Sequence, residues 1–113
     1  MNIFVDIDNT ICFTNGEDYE NATPIMDRIE CINSFYQLGC HITYWTARGS
    51  GTGIDWSRIT KKQLRGWGAK YHELKFGKPC YDLFIDDKNV HAEAFFKQCD
   101  LNGTLTNRTN NAD

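Results

Sequence analysis

The sequence predicts a single α/β domain: a parallel sheet with helices on both faces. Three observations predict it. Short apolar runs alternate with amphipathic stretches in the order β-α-β-α-β-β-α, the pattern of a sheet covered by helices. Acidic and polar residues gather just past the ends of the apolar runs, where open parallel sheets bind ligands. The chain has 113 residues, 41% of them apolar, enough for one core and no second domain.

The elements follow in order. Residues 2–7 read as a short buried strand running into acids, and 8–22 as a polar loop. Thr23 is a candidate N-cap and Pro24 suits a first helical position. Ile25, Ile29, Ile32 and Tyr36 recur at helical spacing and make one apolar face. Gly39 ends that helix through a left-handed conformation. Residues 41–45 form the second strand, with Thr46 at its carboxyl end. The run Gly-Ser-Gly-Thr-Gly at 49–53 is a loop, and a second helix runs from about 55 to 67 with Gly68 as its stop. A third strand is expected within 71–76, a turn at 77–79, and a fourth strand at 82–85 ending in Asp86 and Asp87. Asn89 is a candidate cap for a last helix through about Gln98. Residues 1–99 thus make the domain, and 100–113 a polar tail expected to be partly disordered.

Composition narrows the function. A net charge near -3 argues against a general nucleic-acid binder, which carries a basic excess. No run approaches the roughly 20 apolar residues of a membrane span. No signal peptide is evident, and the five scattered cysteines lack any C-x-x-C pair, so reduced thiols in a cytoplasmic protein are expected. Sequons at Asn21, Asn102 and Asn107 then read as chance in an Asn/Thr-rich chain. His41, His72 and His91 are too dispersed for a metal site, and the 49–53 loop lacks the Lys-Ser/Thr ending of a P-loop.

What a buried strand does not need is acid at its end. Here the first strand ends in Asp6 and Asp8, followed by Thr10; the second ends in Thr46, Ala47 and Arg48; the fourth ends in Asp86 and Asp87, with Lys78 just before it. In a parallel sheet these ends meet on one edge. Carboxylates packed together repel unless a cation sits among them. Mg²⁺, a hard cation that takes oxygen ligands, suits Asp6, Asp86 and a backbone carbonyl near Asp8. Lys78 adds charge and Thr46 a hydroxyl, which together suit a phosphoryl group. An Asp facing the phosphorus can attack it, and a second carboxyl two residues on can exchange the protons. Thr10, Ala47 and Arg48 are candidate substrate contacts; Arg48 reads equally as a surface charge.

These residues resemble the haloacid dehalogenase-like phosphohydrolase superfamily. Its D-x-D-x-T motif is Asp6-Ile7-Asp8-Asn9-Thr10; its strand-end Thr is Thr46; its Lys is Lys78 in Gly-Lys-Pro; its paired acids are Asp86-Asp87. The resemblance implies a three-layer Rossmann-like core, with Asp6 as nucleophile and Asp8 as acid/base. It also implies Mg²⁺ held by Asp6, the Asp8 carbonyl and Asp86, with Asp87 supporting the metal. Lys75 lies near enough to compete with Lys78. The gaps between motifs leave no room for a cap domain, so a large substrate or a neighbouring copy of the chain would cover the site. The 11–22 and 49–53 loops could form a small flap. The chain more narrowly resembles small phosphatases associated with sugar and capsule gene sets, which implies a phosphorylated small-molecule substrate. Rival readings are a polynucleotide 3′-end or protein phosphatase, and two non-enzymes: a phospho-accepting receiver and a binding-only domain.

Overall fold

The structure is a computed structural model and describes residues 1–102, so the expectation of a disordered tail falls mostly outside the described residues. In chain order the elements are β1 (Asn2–Val5), β2 (Cys12–Phe13), a 3-10 turn (Tyr19–Asn21) and β3 (Thr23–Pro24). There follow α1 (Met26–Gln37), β4 (His41–Trp45), α2 (Ser57–Gly66), β5 (Glu73–Lys75) and α3 (Ala92–Asn102).

β1, β4 and β5 form a parallel sheet in the order β1-β4-β5. Asn2 pairs with His41 and Val5 with Tyr44; Thr43 pairs with Glu73 and Trp45 with Lys75. Because all three strands point the same way, Asp6, Thr46 and Phe76 leave the sheet along one edge. β4 lies in the middle, and its Ile42, Thr43 and Tyr44 are all buried, as expected of a strand covered on both faces. α1 packs on β4 and against α3. The core joins Val5, Ile7 and Ile11 to Ile29 and Ile32 of α1, Leu64 of α2 and Phe96 of α3.

α1 starts later than its sequence suggests. Thr23 and Pro24 pair with Phe13 and Cys12 in a short antiparallel ribbon, and Ile25 donates its N–H to the Ile11 carbonyl at 2.9 Å. The chain is therefore still extended at Pro24. Ile25 takes the N-cap position, with no side-chain cap, and residues 8–22 are not all loop. Gly39, at φ +94°, ends the helix as expected. α2 likewise begins at Ser57, whose N–H Asp55 accepts at 2.9 Å; hydrogen bonding by the Ser57 hydroxyl, then by this N–H, holds the Asp55 carboxyl below its usual range. His91, not Asn89, meets the start of α3, its Nδ1 accepting from the Glu93 N–H at 3.1 Å.

The fourth strand expected at 82–85 does not form, and Leu83, Phe84 and Ile85 are exposed. Connection length explains this. β5 ends at Lys75, and only residues 76–81 precede Asp82. A parallel strand needs its chain returned to the opposite edge of the sheet, which takes about a dozen residues or more.

Tyr44 is fully buried, and its hydroxyl meets no hydrogen-bond partner among the described residues. Such a group costs about 1–3 kcal/mol. Burial also raises its pKa well above the ordinary 10.0. Above pH 10 the unfolded chain sheds this proton while the folded chain keeps it, so stability falls as pH rises past that value. Tyr44→Phe is expected to stabilise the fold by about 1 kcal/mol at neutral pH. Denaturant unfolding at about pH 8 and about pH 11 checks this; the advantage of the variant should be larger at the higher pH. A destabilised variant would mean the hydroxyl is bonded after all.

Candidate active site

The site is built where the chain leaves β1. Beyond Val5, Ile7 is buried and anchors a tight loop: its carbonyl accepts from Thr10 N at 3.1 Å and Ile11 N at 2.9 Å. Asn9 takes a left-handed φ of 61°, which Asn tolerates better than most side chains. Its N–H reaches the Cys12 carbonyl and its Oδ1 accepts from Thr14 N. This folded-back loop separates Asp6 from Asp8.

Asp6 is about one third exposed at the sheet edge. Thr10 Oγ1 donates to its Oδ2 at 2.9 Å, and Lys78 Nζ lies 3.2 Å from its Oδ1. Thr10 therefore orients the carboxylate instead of waiting for substrate. Lys78 arrives from the turn after β5, where its N–H bonds the Thr46 carbonyl at 3.2 Å. Its ammonium also faces the rings of Trp45 and Tyr81. Lys75 instead lies 3.8 Å from Glu73, so Lys78 is the lysine of this site.

Asp8 belongs to Arg48. The guanidinium donates through Nη2 to Oδ1 at 2.8 Å and through Nε to Oδ2 at 2.9 Å. Thr14 Oγ1 adds a donor to Oδ1 at 2.7 Å. Arg48 is 2% exposed, so it is neither a surface charge nor a direct contact for substrate. Its Nη1 reaches Thr60 Oγ1 at 3.0 Å and Gln63 Oε1 at 2.6 Å on α2, and the Tyr19 ring covers its Cζ at 4.8 Å. Gln63 in turn donates to the Tyr19 carbonyl at 2.6 Å. Breaking a buried pair by removing one partner costs about 3–5 kcal/mol. Burial, then the negative charge of Asp8, pushes the Cys12 thiol up. Tyr19 is raised for the same reasons.

Thr46 is buried, its Oγ1 accepting from Arg48 N at 3.1 Å and its N–H bonding the Lys75 carbonyl. Ala47 opens onto a cleft of about 130 Å³, walled by Tyr19 and Trp56 edge to face and rimmed by Glu17, Gly51 and Cys80. Gly49 makes the turn possible: it sits at φ +82°, and a Cβ there would collide with the Ile54 carbonyl.

The expected acid pair 86–87 does not join this group. Both residues are exposed, and the Asp86 carboxylate turns to the Asp87 N–H at 2.8 Å. Among the described residues no group of three or more His, Cys, Asp or Glu stands close enough to hold a metal ion. As placed, Asp6 faces Lys78, Asp8 faces Arg48, and Asp86 stands apart from both. The expected ligands Asp6, Asp8, Asp86 and Asp87 are therefore not gathered at one point among the described residues. Thr14, Thr60, Gln63 and Tyr19 are site residues that the sequence did not reveal. Only the helical spacing of Thr60 and Gln63 on one face hints at them.

No family model and no curated protein matches the chain. A crystal structure of a structural-genomics target from Vibrio cholerae does match, with a TM-score of 0.74 at 31% identity. The match covers 83% of this chain and 85% of that one. The chain belongs to the same family as the Vibrio cholerae protein. Family membership extends to nearly the whole domain, so the α/β fold with its parallel sheet is common to both. It brings no activity with it; that rests on the site. No helix among the described residues is long and apolar enough to cross a membrane.

Proposed function

We propose that the chain is a phosphatase that transfers a phosphoryl group to Asp6 and then hydrolyses it, on a haloacid dehalogenase-like core without a cap domain. The observation that carries this reading is the setting of Asp6. A carboxylate about one third exposed at a sheet edge is oriented by Thr10 on one oxygen and faced by Lys78 on the other. A carboxylate paired only for stability would not need a strand-end position open to solvent.

In the first step an Asp6 oxygen forms a bond to phosphorus and the ester P–O bond breaks. Lys78 balances charge on the phosphoryl oxygens. Asp8 delivers a proton to the departing alkoxide. In the second step water attacks the aspartyl phosphate, Asp8 takes the proton of that water, and the Asp6 carboxylate returns with release of inorganic phosphate. Thr46 holds the backbone that carries Lys78 and Arg48. A receiver domain would lack the second, proton-handling acid.

The cleft beside Ala47 supports a small phosphorylated metabolite such as a sugar phosphate. It is small, it has aromatic walls, and none of its described lining residues is a Lys or Arg. A nucleic-acid end would call for cations there. Phosphate release from a panel of sugar phosphates, nucleotides and phosphopeptides tests the reading. Turnover highest on sugar phosphates is expected, and no turnover on any of them contradicts it.

Mg²⁺ is implied by the resemblance of Asp6-Ile7-Asp8-Asn9-Thr10 to the phosphohydrolase motif, and when bound it would neutralise phosphoryl charge beside Asp6. Chelation is expected to stop turnover and added Mg²⁺ to restore it. Full turnover in chelator would reject the metal's role.

A further inference from the structure

We propose that Arg48 is a positioning residue that selects Oδ2 of Asp8 as the oxygen exchanging protons with substrate and water. The proposal rests on the hydrolase reading above.

An ionised carboxylate offers about two lone-pair sites on each oxygen. On Asp8 the two oxygens are not equivalent. Oδ1 accepts from Arg48 Nη2 at 2.8 Å and from Thr14 Oγ1 at 2.7 Å, with Cys12 Sγ at 3.7 Å beside it. Its sites are filled. Among the described residues Oδ2 accepts only from Arg48 Nε, at 2.9 Å, which leaves one site clear. The side chain of Asp8 is 19% exposed whereas that of Arg48 is wholly buried, so Asp8 and not Arg48 is open to a reacting group. Two parallel bonds from a planar guanidinium fix the carboxylate plane as well as its position, which a lysine cannot do.

Arg48 is itself held. Its remaining nitrogen, Nη1, bonds Thr60 and Gln63 of α2, and the Tyr19 ring lies over its guanidinium carbon. Gln63 ties the same arginine to the Tyr19 backbone, and the Tyr19 ring is one wall of the cleft. The Tyr19 loop that walls the cleft is thus connected to Asp8 through one buried side chain. A merely structural salt bridge would need neither the asymmetry at Asp8 nor the tie to the cleft wall.

Leaving-group dependence tests this. An aryl phosphate expels a stable phenolate and needs little protonation, whereas an alkyl phosphate needs a proton on its leaving oxygen. Arg48→Lys keeps the charge and loses the two-point grip. It is expected to lower kcat for an alkyl phosphate about 10²-fold, the scale of an ångström-sized misplacement. KM and the rate of phosphoenzyme formation from the aryl phosphate should move little. The phosphoenzyme should accumulate, as it should in Asp8→Asn, because the second step also uses Asp8. If Arg48→Lys does not fold, Gln63→Met, which leaves the arginine in place but frees its tether, is read the same way with a smaller effect. Equal losses in the rate of phosphoenzyme formation from the two substrates, or a rise in KM alone, overturn the positioning role while leaving the hydrolase reading standing. Absence of turnover in the unaltered protein overturns that reading and the proposal with it.

Discussion

Asp6→Asn is expected to lower phosphate release from an aryl phosphate by more than about 10⁴-fold, the scale on which removing a covalent nucleophile acts. An amide nitrogen cannot form the acyl phosphate, and the remaining amide oxygen is too weak a nucleophile to replace the carboxylate. The fold should survive. Thr10 can still donate to the amide oxygen, and the substitution keeps the size and shape of the side chain, so packing at the sheet edge is unchanged. Kinetics and thermal unfolding of the same preparation separate the two effects. Turnover preserved in this variant would remove Asp6 from the chemistry.

Lys78→Ala is expected to lower kcat by about 10²–10³-fold, the usual cost of deleting one donor aimed at developing charge. Lys75→Ala is its internal comparison. The two lysines are three residues apart, yet Lys78 lies 3.2 Å from Asp6 and Lys75 lies 3.8 Å from Glu73 with half its side chain exposed. Lys75→Ala should therefore leave kcat within about 2-fold, since surface changes away from special features are small. The reverse ranking would assign the site to the wrong lysine.

How far the sequence could be read depended on the range of the forces involved. β4 and the end of α1 were legible because they follow from local rules: a run of apolar residues between Gly39 and the polar turn at 46–50, and a glycine where φ must be positive. Asp6, Thr10, Thr46 and Lys78 were legible because strand ends of a parallel sheet meet at one edge. Arg48 was legible as a residue of interest but not as a buried one. Its position is settled by Thr60 and Gln63 on α2 and by Asp8, forty positions away. The start of α1 was misplaced because pairing of Thr23–Pro24 with β2 outweighs the local helix-start signal. The strand at 82–85 has the right residues, Asp-Leu-Phe-Ile, but the chain before it is too short for a parallel return. Apolar pattern speaks to burial, and connection length decides whether burial can be reached.

The account turns on a phosphoryl group residing on Asp6 during turnover. Acid quenching of the protein during steady-state reaction with an aryl phosphate, followed by peptide mass analysis, examines this directly. Phosphate on the peptide bearing residues 2–10, lost in Asp6→Asn and more abundant in Asp8→Asn, is the result expected. Rapid phosphate release with no phosphorylated peptide, or phosphate carried on a different side chain, would contradict it.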